Sequence, residues 1–423
     1  MSVEGRSTIL QKIADGIDDH LDELSAAECF DGGKPISRAR GIEIPRAASN
    51  FRFFAAAATQ FSSESHESAG QGTLNFTLRQ PLGVVACISP WNLPLYLLTW
   101  KIAPALAVGN CVIAKPSELT PRTAYLLGEI CNEAGLPPGV LNIIHGSGPT
   151  AGQAILDHPK IKAVSFTGGS ETGKHVARVV GPQLKKYSLE LGGKNPNLVF
   201  ADCDYQKMLT TSVFAAFANQ GQICLCGSRI LIERTIFEKF KTDFVAAAQK
   251  LIIGDPTDEK TQIGALVSKS HFEKVCSYLQ LAAAGDGGAK VLCGGSTATI
   301  EGFENGFFVQ PTVVEVETNQ CRLNQEEVFG PVVTLMPFDD EDQAVALAND
   351  VPYGLSATVW TADVNRVMRV SQSLEAGIVW VNTWLNRDLR TPFGGMKSSG
   401  VGREGGLESL RFFTEPKNVC VAY

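Results

Sequence analysis

Ile9, Leu10, Ile13, Ile17, Leu21 and Leu24 recur at helical spacing, which predicts one amphipathic helix over residues 6–30. A second helix is expected over 37–59, a stretch rich in Ala, Arg and Phe. A polar break, Ser62 to Gly72, separates it from an alternating strand, Leu74 to Leu78, that ends at Pro81. From residue 82 short apolar runs alternate with helical ones. Strands are expected at 83–88, 111–114, 141–144 and 163–166, with helices at 97–107, 121–133 and 150–156 between them. That rhythm predicts a parallel, doubly wound sheet. A second α/β series follows Gly192, with strands at 197–200, 229–232, 357–360 and 377–381 and helices at 205–217 and on to Lys250. The end, Asn418 to Ala422, alternates weakly, as an edge or subunit-bridging strand does. There is no internal repeat.

With 423 residues the chain is long enough for two or more domains. A hydrophobic fraction of 44%, a charged fraction of 19% and 41 glycines suit an α/β enzyme, and a net charge of −7 disfavours nucleic acid as a partner. No apolar run reaches membrane-spanning length, and the first residues carry no basic-then-apolar leader, so cytoplasm is the expected compartment. The 11 cysteines include no Cys-x-x-Cys pair, and 6 histidines are too few and too scattered for a metal cage. No metal is expected.

Chemistry concentrates in a few segments. Glu190 lies in Leu189-Glu-Leu-Gly-Gly-Lys-Asn-Pro196, a carboxylate between apolar residues and before a Gly-Gly bend. Burial there would raise its pKa toward that of a useful general base; otherwise it is a solvated edge residue. Cys224 ends Phe217-Ala-Asn-Gln-Gly-Gln-Ile-Cys224, behind a Gly-Gln turn whose N–H groups suit both a thiolate and half of an oxyanion hole. A buried structural thiol is the alternative, and for Cys226 a packed small residue or a redox partner. Asn92, in Ser89-Pro-Trp-Asn-Leu-Pro94, follows the first sheet strand, where open α/β sheets place ligands; its amide can serve a developing oxyanion or simply close a turn. Gly146-Ser-Gly-Pro-Thr-Ala-Gly152 and Phe166-Thr-Gly-Gly-Ser-Glu-Thr-Gly173 are glycine-rich turns suited to a pyrophosphate, though neither is Gly-x-Gly-x-x-Gly.

Together with Glu326-Glu-Val-Phe-Gly-Pro331 and Pro392-Phe-Gly-Gly-Met-Lys-Ser-Ser-Gly400, these segments resemble, in order and from about residue 5 to the C-terminus, the NAD(P)-dependent aldehyde dehydrogenases. The resemblance implies an α/β fold with a Rossmann-type cofactor domain (1–70 and 82–192), an α/β catalytic domain (193–413), and strands for oligomerisation (71–81 and 414–423) in a homodimer or homotetramer. It implies Cys224 as nucleophile, Glu190 activating the hydrolytic water and Asn92 as oxyanion donor. Ile88, Ser89, Pro90 and Trp91 would line the nicotinamide side, and Lys115 and Glu118 would hold the adenosine ribose. Gly148, Thr167, Gly168, Gly169 and Leu191 would border the dinucleotide, with Glu327 on the nicotinamide ribose and Phe329 beside the ring. Gly169 stands where many relatives carry Ser, with Ser170 as a possible substitute. Glu118 accepting from a free 2′-hydroxyl would repel a 2′-phosphate, which favours NAD as cofactor. Members of this family usually begin with several dozen more residues, so Met1 falls where they are already helical, and missing strands would expose sheet edge.

Asn50-Phe-Arg-Phe-Phe54 and Trp384 to Phe393 resemble the branch acting on 2-aminomuconic and 2-hydroxymuconic semialdehydes. Arg52 in an aromatic helix and Arg387 before the tunnel-side Phe393 are the expected partners of a carboxylated aldehyde substrate, with an internal salt bridge the alternative for Arg52. Two competing functions are a broad dehydrogenase of apolar or retinal-like aldehydes and a catalytically inactive binding or assembly subunit.

Overall fold

A computed structural model describes residues 1–423. The expected helix over 6–30 is two helices, α1 (Val3–Asp19) and α2 (Leu21–Gly32), broken at His20, whose ring bonds the Gly16 carbonyl at 2.8 Å. The next helical stretch also departs from one smooth run. Pro45 has no N–H to give the turn before it, and the chain widens into a π-turn over Ala39–Glu43 before the helix Ile44–Thr59. Leu10, Ile13 and Ile17 of α1 pack with Ala47, Ala48, Phe51 and Phe54 of that helix. Beneath them the helix Pro94–Ala107 is buried on nearly every side, because helices cover one face and the sheet the other.

The first sheet contains β3 (Val84–Ile88), β4 (Cys111–Lys115), β5 (Leu141–Ile143), β6 (Ile161–Thr167) and β7 (Lys186–Glu190), all parallel, in the order β7-β6-β3-β4-β5. The reversal of direction around β3 opens a crevice at the carboxyl ends of β3, β4 and β6. A short strand from far along the chain, Gly400–Val401, adds antiparallel to β7 beside Glu190. Leu410 and Phe413 likewise belong to the first core, so the expected domain limit at 413 cuts through that core.

The second sheet is built on β8 (Pro196–Val199) and β9 (Arg229–Glu233), with Ser356–Trp360 and Ile378–Val381 on one side and Val332–Phe338, Thr312–Glu315 and Lys290–Cys293 on the other. Three of these strands and the helices Lys269–Ala283 and Glu341–Asn349 fall in 251–356, where the hydrophobic pattern named nothing. A third sheet joins β1 (Ser65–Ser68), β2 (Thr73–Pro81) and the C-terminal strand Thr414–Ala422. β1 lies inside the expected polar break; its residues are all polar, and main-chain pairing with β2 makes it a strand. No helix is long and apolar enough to cross a membrane.

Phe51 has 0% exposure between α1 and the Pro94–Ala107 helix. Phe51→Ala should cost about 3–5 kcal/mol of stability, read as a shifted urea midpoint at unchanged slope. A loss under about 1 kcal/mol would show that this helix layer does not hold the first domain together.

Candidate active site

The chain approaches Cys224 through strained backbone. Past the helix Tyr205–Phe217, three consecutive residues are left-handed: Asn219 at φ +52°, Gln220 at +55° and Gly221 at +72°. For Asn and Gln this conformation is costly and needs outside restraint. The Asn219 amide donates to the carbonyls of Asn92 (3.1 Å) and Gln222 (3.2 Å), and the Gln220 amide donates to that of Ala265 (3.0 Å). Gly221 is required for a second reason, since a Cβ there would stand 2.0 Å from the Gly330 carbonyl oxygen. The result is a rigid turn with Cys224 half-buried at its end and a main-chain N–H that no protein acceptor takes.

Asn92 is buried, and its side-chain amide donates to the Gln222 carbonyl at 3.0 Å. One bond uses one of two N–H groups, leaving the other beside the Cys224 turn. Glu190 ends β7 with 3% exposure, and neither carboxyl oxygen has a hydrogen-bond partner. Burial, then the nearby Glu404, holds its pKa well above the ordinary carboxylate range. Glu404 lies in a buried cluster: Lys101 Nζ donates to it at 2.6 Å and Ser165 Oγ at 2.9 Å, and its main chain bonds Phe393 in both directions at 2.7 Å. Burial also raises the Cys224 thiol, with Glu327 and Glu190 adding to the effect, so the protein alone does not supply a thiolate. The Arg387 guanidinium opposes that rise, but two carboxylates, Glu327 and Glu190, act more strongly. Cys226 is buried in the same apolar cluster, its thiol pushed up to about 12 by burial, which matches the packing alternative.

Around this pair lies an apolar wall of Leu93, Ile223, Leu225, Trp380, Trp384 and Phe393. The Arg387 guanidinium sits 3.9 Å above the Phe393 ring and 5.3 Å from that of Trp100, with no carboxylate paired to it. Arg52 is elsewhere. It is 40% exposed and pairs with Asp15 (2.8 Å) and Asp18 (2.6 Å) of α1, so the sequence-based assignment to substrate is corrected to a surface ion pair. Arg46, six positions earlier on the same helix and turned about 120° around it, lies on the side of Tyr96 and Arg387 instead. Its Nε and one terminal nitrogen are buried without partners, it lies 5.7 Å from the Tyr96 ring, and burial, helped by the nearby Arg387, lowers its pKa against the opposing effect of Tyr96 and Asp388. Arg46 shares a helix face with Asn50, whose amide bonds Tyr96 and Thr99, and that i, i+4 relation was the signal available in the sequence.

At the carboxyl ends of β3, β4 and β6 a cleft of about 810 Å³ is lined by Ile88, Ser89, Pro90, Trp91, Lys115, Glu118, Gly148, Thr167, Gly168 and Gly169 together. Ser89 Oγ and Thr167 Oγ1 are buried there without partners. The helix Ser170–Val180 opens on Gly169 with no side-chain cap and nothing within 4 Å of a Cβ placed there, so its first N–H groups face the cleft. A dinucleotide fits this donor set. Leu191 is core behind the cleft, beside Ile88 and Phe166. Glu327 and Phe329 reach the far side: the Glu327 carboxylate accepts from the Gly193 N–H at 2.9 Å, and a Cβ on Gly192 would fall 2.3 Å from it. Phe329, at φ +61°, meets Trp91 edge to face at 5.4 Å. His271 escaped the sequence reading. It packs 5.0 Å from Trp91, bonds the Phe329 carbonyl at 2.7 Å, and burial lowers its pKa to about 4, so it is neutral at physiological pH.

The sequence profile of the aldehyde dehydrogenase family matches residues 1–419. The chain belongs to the aldehyde dehydrogenase family. It is 50% identical over 421 residues to a 2-aminomuconic semialdehyde dehydrogenase of Danio rerio, covering 99% of this chain and 86% of the relative. A 2-hydroxymuconic semialdehyde dehydrogenase of Pseudomonas sp. (strain CF600) is 49% identical over 426 residues, with 100% and 87% covered. Among solved structures, betaine aldehyde dehydrogenase from Staphylococcus aureus in complex with NAD+ matches at a TM-score of 0.96 and 36% identity, covering 100% of this chain and 83% of that one. The NAD+ complex of an aldehyde dehydrogenase from Bacillus cereus matches at 0.96 and 37%, covering 100% and 84%. This aldehyde dehydrogenase is therefore an oxidoreductase acting on aldehydes with a nicotinamide dinucleotide, NAD(P).

Two substitutions test the candidate pair. Cys224→Ser should remove NADH formation while leaving cofactor affinity within about twofold. Glu190→Gln should leave a burst of about one NADH per site followed by slow turnover, because only thioester hydrolysis lacks its base. In the unaltered enzyme, turnover limited by that hydrolysis should fall as pH drops through a value above the ordinary carboxylate range, since protonated Glu190 cannot accept a proton. A rate flat through that range, or steady turnover in Glu190→Gln at the original rate, would remove Glu190 from deacylation.

Proposed function

We propose that this enzyme oxidises a short aldehyde bearing carboxylate groups, a semialdehyde of the muconate type, to the corresponding acid with NAD. The observation that carries the substrate class is the pair Arg46 and Arg387, two guanidiniums that both reach Tyr96 and form no salt bridge, the carboxylates of Asp388 and Glu190 acting on them only from a distance. Two like charges in a partly buried, aromatic site are costly when empty and favourable once an anion bridges them. Relatives named for muconic semialdehydes agree with this chemistry.

The reaction follows from the residues. The Cys224 thiol loses its proton to solvent as sulfur attacks the aldehyde carbon, and the oxygen of the resulting thiohemiacetal is held by the free Asn92 N–H and the Cys224 main-chain N–H. NAD held in the cleft would supply the hydride acceptor, and loss of the hydride leaves a thioester on Cys224. Glu190 takes a proton from water as it attacks the thioester, and the acid departs as the Cys224 sulfur leaves. Trp91, His271 and Phe329 enclose the nicotinamide side, Glu327 serves its ribose, and Lys115 with Glu118 serves the adenosine ribose. Glu118, half-exposed and 3.3 Å from Lys115, places negative charge where a 2′-phosphate would lie. The strands β1, β2 and Thr414–Ala422, with Leu74, Leu78 and Val421 exposed, suit pairing between subunits in a dimer or tetramer. Eleven unpaired thiols favour a reducing compartment such as the cytoplasm.

Arg46→Ala and Arg387→Ala should each lower kcat/KM for a carboxylated semialdehyde by about 30- to 1,000-fold, on the order of 2–4 kcal/mol, while changing a neutral aliphatic aldehyde far less. Arg52→Ala, and Arg390→Ala at the exposed partner of Asp388, should leave both substrates within about twofold. Equal losses on both substrates would make Arg46 and Arg387 structural and favour the broad-specificity alternative; no turnover of any aldehyde would favour the inactive subunit. For the cofactor, NAD should exceed NADP by at least about tenfold in kcat/KM, and Glu118→Gln should narrow that ratio. An unchanged ratio would detach cofactor choice from Glu118.

A further inference from the structure

The loop that carries Asn92 is gripped from behind by a buried charge cluster that touches neither the cofactor cleft nor the substrate wall. Lys34 is 2% exposed and its ammonium donates to the Asn92 carbonyl at 3.0 Å. It also pairs with Glu28 at 2.8 Å and with Glu43, which in turn accepts from Arg38 Nε at 2.8 Å. The other oxygen of Glu28 accepts from the Leu95 N–H at 2.9 Å, an unfilled donor in the first turn of the Pro94–Ala107 helix. One ion pair therefore holds the chain on both sides of Leu93-Pro94, immediately after the oxyanion donor. Lys34 is itself set by Gly33, left-handed at φ +67°, whose carbonyl accepts from the Ala265 N–H at 2.9 Å; the Ala265 carbonyl restrains Gln220 in the Cys224 loop. Burial opposes the charge on Lys34, but the two carboxylates more than offset it and raise its pKa above the usual value.

Four buried charges are a poor way to gain stability, since desolvation offsets most of their attraction and apolar packing does as well. What apolar side chains cannot do is hydrogen-bond a carbonyl and an N–H of one loop at once. We propose that Lys34 and Glu28 are positioning residues of the oxyanion site: they fix the Asn92–Leu95 backbone so that the free N–H of the Asn92 amide is aimed at the aldehyde oxygen above Cys224. The proposal rests on Asn92 being the oxyanion donor, and it assigns to residues far back in the chain a share of the acylation rate.

The test is a double-mutant cycle on the pre-steady-state NADH burst of the full-length enzyme with NAD. Lys34→Met combined with Glu28→Gln keeps the cluster neutral and keeps an acceptor for Leu95. In the unaltered background it should slow the burst about 10- to 100-fold with NAD affinity within about twofold; in an Asn92→Ala background it should slow it less than about twofold. Lys34→Arg, which keeps the charge but moves its donors, should show a smaller loss with the same dependence on Asn92, and it decides the matter if the double variant does not fold. Equal losses in both backgrounds, or no loss in either, overturn the positioning role. If Asn92→Ala alone leaves the burst unchanged, the oxyanion assignment falls and the positioning role falls with it.

Discussion

The hydrogen bond from the Asn92 side chain to the Gln222 carbonyl is the point on which the catalytic geometry rests. Asn92 follows the strand at the centre of the first sheet, and Gln222 belongs to the loop leading into the second; one 3.0 Å contact ties the Asn92 amide to the turn that carries Cys224. It is maintained because both ends are over-determined. The Asn92 carbonyl takes donors from Lys34 and Asn219, and the Gln222 carbonyl takes a second donor from Asn219. Left-handed Asn219 and Gln220 store strain that such restraint can hold, a common arrangement where a nucleophile must be presented on a sharp turn.

Desolvation is the second organising force. It raises the pKa of Glu190 and of Cys224 together, so neither group is charged cheaply. A thiol that stays protonated until a base is at hand is shielded from idle oxidation, and a carboxylate that binds protons tightly is a better general base than a solvated one. Nearby, Lys101 and Glu404 form a fully bonded pair, whereas Arg46 and Arg387 form no salt bridge.

The recurrent short apolar runs made the two parallel sheets legible, because a strand buried on both faces must be apolar at successive positions. Glu190, Cys224 and Asn92 were legible for a different reason: each sits in a short motif whose glycines or prolines force a sharp turn at a strand end. Less legible were elements that depend on a partner. β1 is all polar and exists through its pairing with β2, the antiparallel strand Gly400–Val401 is too short to carry a pattern, and Lys290–Cys293 and Thr312–Glu315 are four residues each. The helix break at His20 and the π-turn before Pro45 left the apolar periodicity nearly intact, so periodicity ran through them.

By itself the sequence determined the family and with it the fold class, since these follow from local pattern and from motifs that need few neighbours. Only the tertiary structure decided which arginine of the Ile44–Thr59 helix lies beside Tyr96 and Arg387. Arg46 and Arg52 are equally plausible in one dimension, but α1 brings Asp15 and Asp18 to one flank of the helix while Tyr96 and Arg387 occupy the other. It likewise brought His271 to Trp91 and Phe329, and Glu28 and Lys34 to the back of the Asn92 loop. A charge is cheap or costly according to what the rest of the chain places beside it, and that is a property of packing that no local pattern records.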